Sequence, residues 1–234
     1  MIARYAFRFS LVTGLAAGCG GGDQAARSTP PAPAPGADQP AAAPVDSTPT
    51  IVFLGTSLTA GYGLPDQSLA YPARIQRKLD SAGLRYRVVN AGMSGETSAG
   101  ALRRIDWVLD QGRVAVLVVE TGANDGLRGQ DPDSTRQNIQ KILDRAREAQ
   151  PAPALVVVGM EALPNMGARY TSRFRSIYPE LARANGAALV PFLLDGVAGV
   201  DSLNQADGIH PTARGQAILA ETVWKVLAPL LTAP

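Results

Sequence analysis

One cysteine and one histidine among 234 residues exclude several kinds of chemistry at once. A single thiol forms no internal disulfide, and with neither paired cysteines nor an HExxH stretch the chain is expected to hold no zinc and to need no other cofactor. Charge of one sign is lacking too. Lys and Arg number 22 against 20 Asp and Glu, a formal charge of +2, and Arg4 and Arg8 lie in a segment expected to be removed. The remaining cations are scattered among anions, without the basic stripe that neutralises phosphates, so no nucleic-acid partner is expected. The apolar stretch near the N-terminus falls short of the roughly 20 residues that a membrane-spanning helix needs.

Residues 1–19 run from Arg4 and Arg8 through Phe9, Leu11, Val12 and Leu15 to small residues and Cys19, the order of a bacterial export signal. Leu15-Ala16-Ala17-Gly18-Cys19 resembles the lipobox of bacterial lipoproteins, with Ala16 where Leu is commoner. That resemblance implies lipidation of Cys19 and attachment to a membrane, and Gly20 in place of Asp implies the outer membrane. An ordinary signal peptide with a stray cysteine is the plainer alternative. Residues 20–49 are almost wholly Gly, Ala, Pro, Ser, Thr, Asp and Gln, too poor in apolar side chains to form a core, and read as a disordered tether. Residues 50–234 are long enough for one domain, which would bury about 70% of its unfolded surface and stand without disulfides. A monomer is expected.

Within that domain, short apolar runs at 51–54, 86–89, 114–119, 155–158 and 188–192 alternate with segments of helical length at 70–82, 98–111, 132–150, 170–185 and 211–230. Continuous rather than alternating apolar runs belong to strands covered on both faces. The pattern predicts an α/β fold, a parallel sheet of about five strands between two helical layers, whose sites gather beyond the carboxyl ends of the strands. Asp133 with Gln137, and Pro211 at a first turn, are read as helix-start signals.

Polar segments follow the first three strands: GTSLTAGYGL from Gly55, NAGMSGETS from Asn90 and ETGANDGLRG from Glu120. A fourth, DGIHP from Asp207, precedes the last helix. His210 is the sole candidate for an imidazole base, and Asp207 three residues earlier can fix its tautomer. Ser57 lies where a strand turns into a loop and could present its hydroxyl above the sheet, although Thr59 breaks the Gly-x-Ser-x-Gly spacing. The amides of Ser57 and Gly92 and the Asn124 side chain could form an oxyanion hole. Taken singly, Gly92 is as well a turn glycine, Asn124 an Asx-turn former and His210 a helix cap.

Together the four blocks, in this order and spacing, resemble the SGNH/GDSL hydrolase family over essentially all of residues 50–234, and most closely its bacterial thioesterase, lysophospholipase and arylesterase members. The resemblance implies a three-layer flavodoxin-like SGNH fold without a metal. It implies Ser57 as nucleophile, His210 as base, Asp207 as its partner, and Ser57, Gly92 and Asn124 as oxyanion donors. Leu127, Met160 and Pro164 would then line the acyl site. Thr56 departs from the family's Gly-Asp-Ser, in which the Asp helps hold the nucleophile loop. The implied activity is hydrolysis of short to medium acyl or aryl esters, with thioesters or lysophospholipids as further substrates. A carbohydrate acetylesterase of the envelope and a tethered binding protein without turnover are the alternatives.

Overall fold

The computed structural model describes residues 48–231. The export signal, the lipobox with Cys19 and almost all of the tether lie outside the described residues. Five strands form one parallel sheet: β1 (Thr50–Gly55), β2 (Arg87–Gly92), β3 (Val114–Val119), β4 (Ala154–Val158) and β5 (Ala188–Val190), in the order β2-β1-β3-β4-β5. Residues 51–54 and 116–119 are buried on both faces of the sheet, which is why these strands read as unbroken apolar runs.

Among the described residues eight α-helices accompany the strands: α1 (Ser57–Ala60), α2 (Tyr71–Ser81), α3 (Ser98–Arg103), α4 (Ile105–Leu109), α5 (Ala123–Leu127), α6 (Pro132–Glu148), α7 (Ala168–Asn185) and α8 (Ala213–Leu227). The longer ones bury a stripe at helical spacing. Tyr71, Ile75 and Leu79 do so on α2, and Leu219, Val223 and Leu227 on α8; these two helices pack together. Ile139, Ile142 and Leu143 are buried on α6, which packs beside α3 and α7. Each such side chain contributes roughly 1.5–3 kcal/mol by leaving water.

Local details depart from the sequence expectations. The helix expected over 98–111 is two helices, because Arg104 leaves helical geometry (φ −112°, ψ 10°) and turns its guanidinium back to the Glu96 carboxylate and the Gly55 carbonyl. The second strand runs on to Gly92 and the fifth stops at Val190. Asp131, not Asp133, caps α6 by accepting the Asp133 N–H, and Thr212 caps α8, leaving Pro211 outside the helix in a bridge with Asn204.

Candidate active site

The sheet order reverses between β1 and β3, and the loops after β1, β2 and β3 converge with the 207–210 loop beyond the strand ends. Ser57 is the first residue of α1, a single turn that Gly61 closes in the left-handed region (φ 72°). Its N–H therefore has no intrahelical acceptor.

The Ser57 hydroxyl lies 2.9 Å from His210 Nε2, and His210 Nδ1 lies 2.6 Å from Asp207 Oδ2. Asp207 Oδ1 also accepts the backbone N–H groups of His210 (3.0 Å) and Ile209 (3.1 Å). These bonds, the imidazole's first, hold the Asp207 carboxyl down to about 2. An ionised Asp207 can only accept, so Nδ1 carries a proton and Nε2 is left to receive one from Ser57. The loop is tied from behind. Gln205 donates to the carbonyls of Tyr62 and Pro211, its own N–H donates to the His210 carbonyl, and the Asn204 amide donates to Val197 and Val200. The Tyr62 ring lies 4.7 Å from the imidazole.

Asn124 and Ser57 both line the cavity in front of this chain of hydrogen bonds. One proton of the Asn124 amide goes to the Glu96 carbonyl (3.0 Å), which orients the group. Gly92 is not brought there. Its N–H donates to Asn90 Oδ1 (3.0 Å), and a Cβ on it would run into the Ala60 backbone, so this glycine serves the packing of α1 on β2. The glycine that lines the cavity is Gly95, three residues on, in the left-handed region (φ 77°). Its N–H donates to none of the described residues' groups. Its carbonyl accepts from Arg128 (3.0 Å), while Glu96 pairs with the half-buried Arg104. Below them the buried Asp125 accepts the N–H and hydroxyl of Ser98 and the hydroxyl of Thr135, joining the third loop to α3 and α6.

The sequence reading assigned Glu120 no role. It follows β3, is fully buried, and accepts from the Thr56 N–H (2.7 Å), the Thr56 hydroxyl (3.0 Å) and the Thr59 hydroxyl (2.8 Å). Burial pushes its carboxyl up to about 7 against the pull of those donors.

The cavity has a volume of about 750 Å³. Leu127, Met160 and Pro164 all line it, joined by Leu163, Phe192 and Leu194 from the loops after β4 and β5. A narrow cluster of polar groups thus opens on a broad apolar wall, a shape suited to an acyl or aryl group. No group of His, Cys, Asp and Glu among the described residues could hold a metal ion.

The sequence model of the GDSL-like lipase/acylhydrolase family matches residues 53–218. The chain is 44% identical over 182 residues to Esterase TesA of Pseudomonas aeruginosa, which spans 78% of this chain and 89% of that one. It is 38% identical over 182 residues to Thioesterase 1/protease 1/lysophospholipase L1 of Escherichia coli strain K12, 78% and 85% of the two chains. A crystal structure of TesA superposes with a TM-score of 0.74 at 42% identity, covering 78% of this chain and 99% of that one.

Proposed function

The chain belongs to the GDSL-like lipase/acylhydrolase family and is a carboxylic ester hydrolase, and from that premise we propose that Ser57 is its nucleophile, His210 its general base and Asp207 the partner that fixes the base. The observation that carries this reading is the unbroken run from Ser57 Oγ through the imidazole to Asp207, set against the apolar cavity.

In the forward step His210 Nε2 takes the Ser57 proton as the oxygen attacks the ester carbonyl. The developing oxyanion is received by the N–H groups of Ser57 and Gly95 and by the second amide proton of Asn124, with Gly95 replacing Gly92 in that role. The imidazolium, stabilised by Asp207, gives its proton to the departing alcohol or thiol. Water then repeats the sequence on the acyl-enzyme, releasing the acid and restoring Ser57. The Glu96 carbonyl orients the Asn124 amide before substrate arrives, which supports a low reorganisation cost as the charge develops.

The substrates are short to medium acyl or aryl esters, with thioesters and lysophospholipids accepted in the same way. The apolar wall favours them over an acetylated polysaccharide, which would offer it mostly hydroxyls. Hydrolysis of p-nitrophenyl esters from acetate to palmitate tests this. We expect turnover that peaks between four and ten carbons, roughly, given a pocket of ordinary ligand size. Ser57→Ala should lower it by about 10⁶-fold, as in other serine triads. A variant within tenfold of the wild type would end the assignment, and a preference for acetylated sugars would turn the reading to a carbohydrate acetylesterase.

We assign the enzyme to the cell envelope, tethered through a lipidated Cys19, on the N-terminal pattern alone. Incorporation of a labelled fatty acid in a bacterial host, lost in Cys19→Ser, is the expected result. A protein that never takes up label would be an exported one without this anchor, and label that persists in the variant would place the lipid on a residue other than Cys19.

A further inference from the structure

A carboxylate in a protein interior is costly to ionise and persists where donors surround it. Glu120 is such a group, and acyl transfer as described above makes no use of it. Its donors come from the turn that carries the nucleophile: Thr56 immediately before Ser57, and Thr59 two residues after it. Thr59 has one hydroxyl proton and gives it to Glu120, so its 2.7 Å contact with Tyr71 is donated by the tyrosine. All the protons of this buried cluster then point inward to Glu120, the arrangement that suits an ionised group.

The Thr56 side chain caps nothing within α1. Glu120, the residue after β3, instead accepts the N–H and the hydroxyl of this N-cap residue, holding the start of the turn from outside it. The cluster also has no slack. A Cβ on Gly55 would meet the Thr59 side chain and lie 2.8 Å from Glu120 Oε2.

We propose that Glu120 is a positioning residue of the hydrolase: ionised, it clamps the Thr56–Thr59 turn to the end of β3 and fixes the Ser57 hydroxyl and N–H together. Thr56 suits this role, since its hydroxyl donates to Glu120, whereas the aspartate of the family's Gly-Asp-Ser-Leu could face it closely only if one of the two carboxyls held a proton. The proposal rests on Ser57 being the nucleophile.

Protonation of Glu120 must reverse at least one donor of the cluster. Burial holds its carboxyl near 7, so this happens in the range where esterases work. Tyr71 of α2 and Tyr178 of α7 are the titratable groups that bear on it, both kept neutral by burial, and Arg104, paired with Glu96 at the break between α3 and α4, donates to the Gly55 carbonyl. Activity then needs Glu120 deprotonated, and the acid limb of log kcat against pH should be steeper in the wild type than in a variant that cannot ionise at this position.

The test uses the full chain and p-nitrophenyl butyrate between pH 5 and 8.5, with thermal melts of every variant. Glu120→Gln is expected to lower kcat by roughly tenfold or more, as small misplacements of reacting groups do, with KM within about threefold and a shallower acid limb. Thr56→Val, which removes the hydroxyl at equal volume, should lose about three- to tenfold, and Thr56→Ser should recover most of it. A folded Glu120→Gln with kcat within twofold of the wild type, or an equally steep limb in both, would overturn the proposal. If that variant does not melt cooperatively, the Thr56 pair decides: equal losses in Val and Ser have the same force. Ser57→Ala run in parallel separates the two ideas, since its survival would remove the nucleophile and its inactivity beside an intact Glu120→Gln would remove only Glu120.

Discussion

The two halves of the site are built differently. The half that carries Ser57, Gly95 and Asn124 is anchored in the interior, with buried Glu120 and Asp125 each accepting three donors and Glu96 paired to Arg104. The half that carries His210 is a surface loop held by backbone carbonyls and two amide side chains. Two aspartates make the contrast concrete: Asp125 is fully buried, while the Asp207 side chain is 40% exposed. In the function proposed above, the donors that would meet a developing charge sit on the buried half, and the imidazole that would carry the proton sits on the exposed one.

That contrast can be broken by exchanging the expected consequences of its members. Asp207→Asn should cost up to about 10⁴-fold in kcat, because the amide favours the wrong imidazole tautomer, yet leave the melting temperature within a few degrees. A large fall in melting temperature would show that the loop is structural after all. Asp207 stabilises the fold only above its unfolded value of 3.8 and loses that contribution as pH falls towards 2. It therefore stays ionised across the working range, and its exposure keeps the contribution small. Asp125→Ala should do the reverse, lowering stability by about 3 kcal/mol as buried donors lose their acceptor. Its kcat, measured well below the melting temperature, should fall far less than that of Asp207→Asn.

The smallest effect sharpens the comparison through pH. The Glu120 carboxyl is raised from 4.5 to about 7, so between those values the folded chain keeps a proton that the unfolded chain has lost. This group then makes stability fall as pH rises through that window, by at most about 3 kcal/mol, and adds no further slope above it. Melts at pH 5 and 8 should differ in this sense, and the difference should shrink in Glu120→Gln. An unchanged difference would mean that Glu120 is not the buried group responsible.

Most of the sheet was legible because its strands are covered on both faces, whereas the Ser57, Asn124, Asp207 and His210 blocks, each open to a purely structural reading alone, were legible through their joint order and spacing, which resemble the SGNH/GDSL family. Gly92 was misread for a physical reason. Two glycines, Gly92 and Gly95, come after the apolar run at 86–89, and which faces the cavity depends on where pairing with β1 stops; the register carries it to Gly92 opposite Gly55. Glu120 was hidden because its donors lie some sixty residues earlier, a distance that no local spacing reveals. The helix break at Arg104 depends likewise on a side chain turning back to Glu96 and Gly55.

The apolar wall of the cavity comes largely from the loops after β4 and β5, around Met160 to Pro164 and Phe192 to Leu194, and these contribute nothing to the Ser57–His210–Asp207 chain or to the oxyanion donors. Chemistry and taste are thus written on separate stretches of the polypeptide. A lineage could lengthen, shorten or roughen this wall through successive substitutions, passing from aryl esters to long acyl chains, while each intermediate remained a working hydrolase.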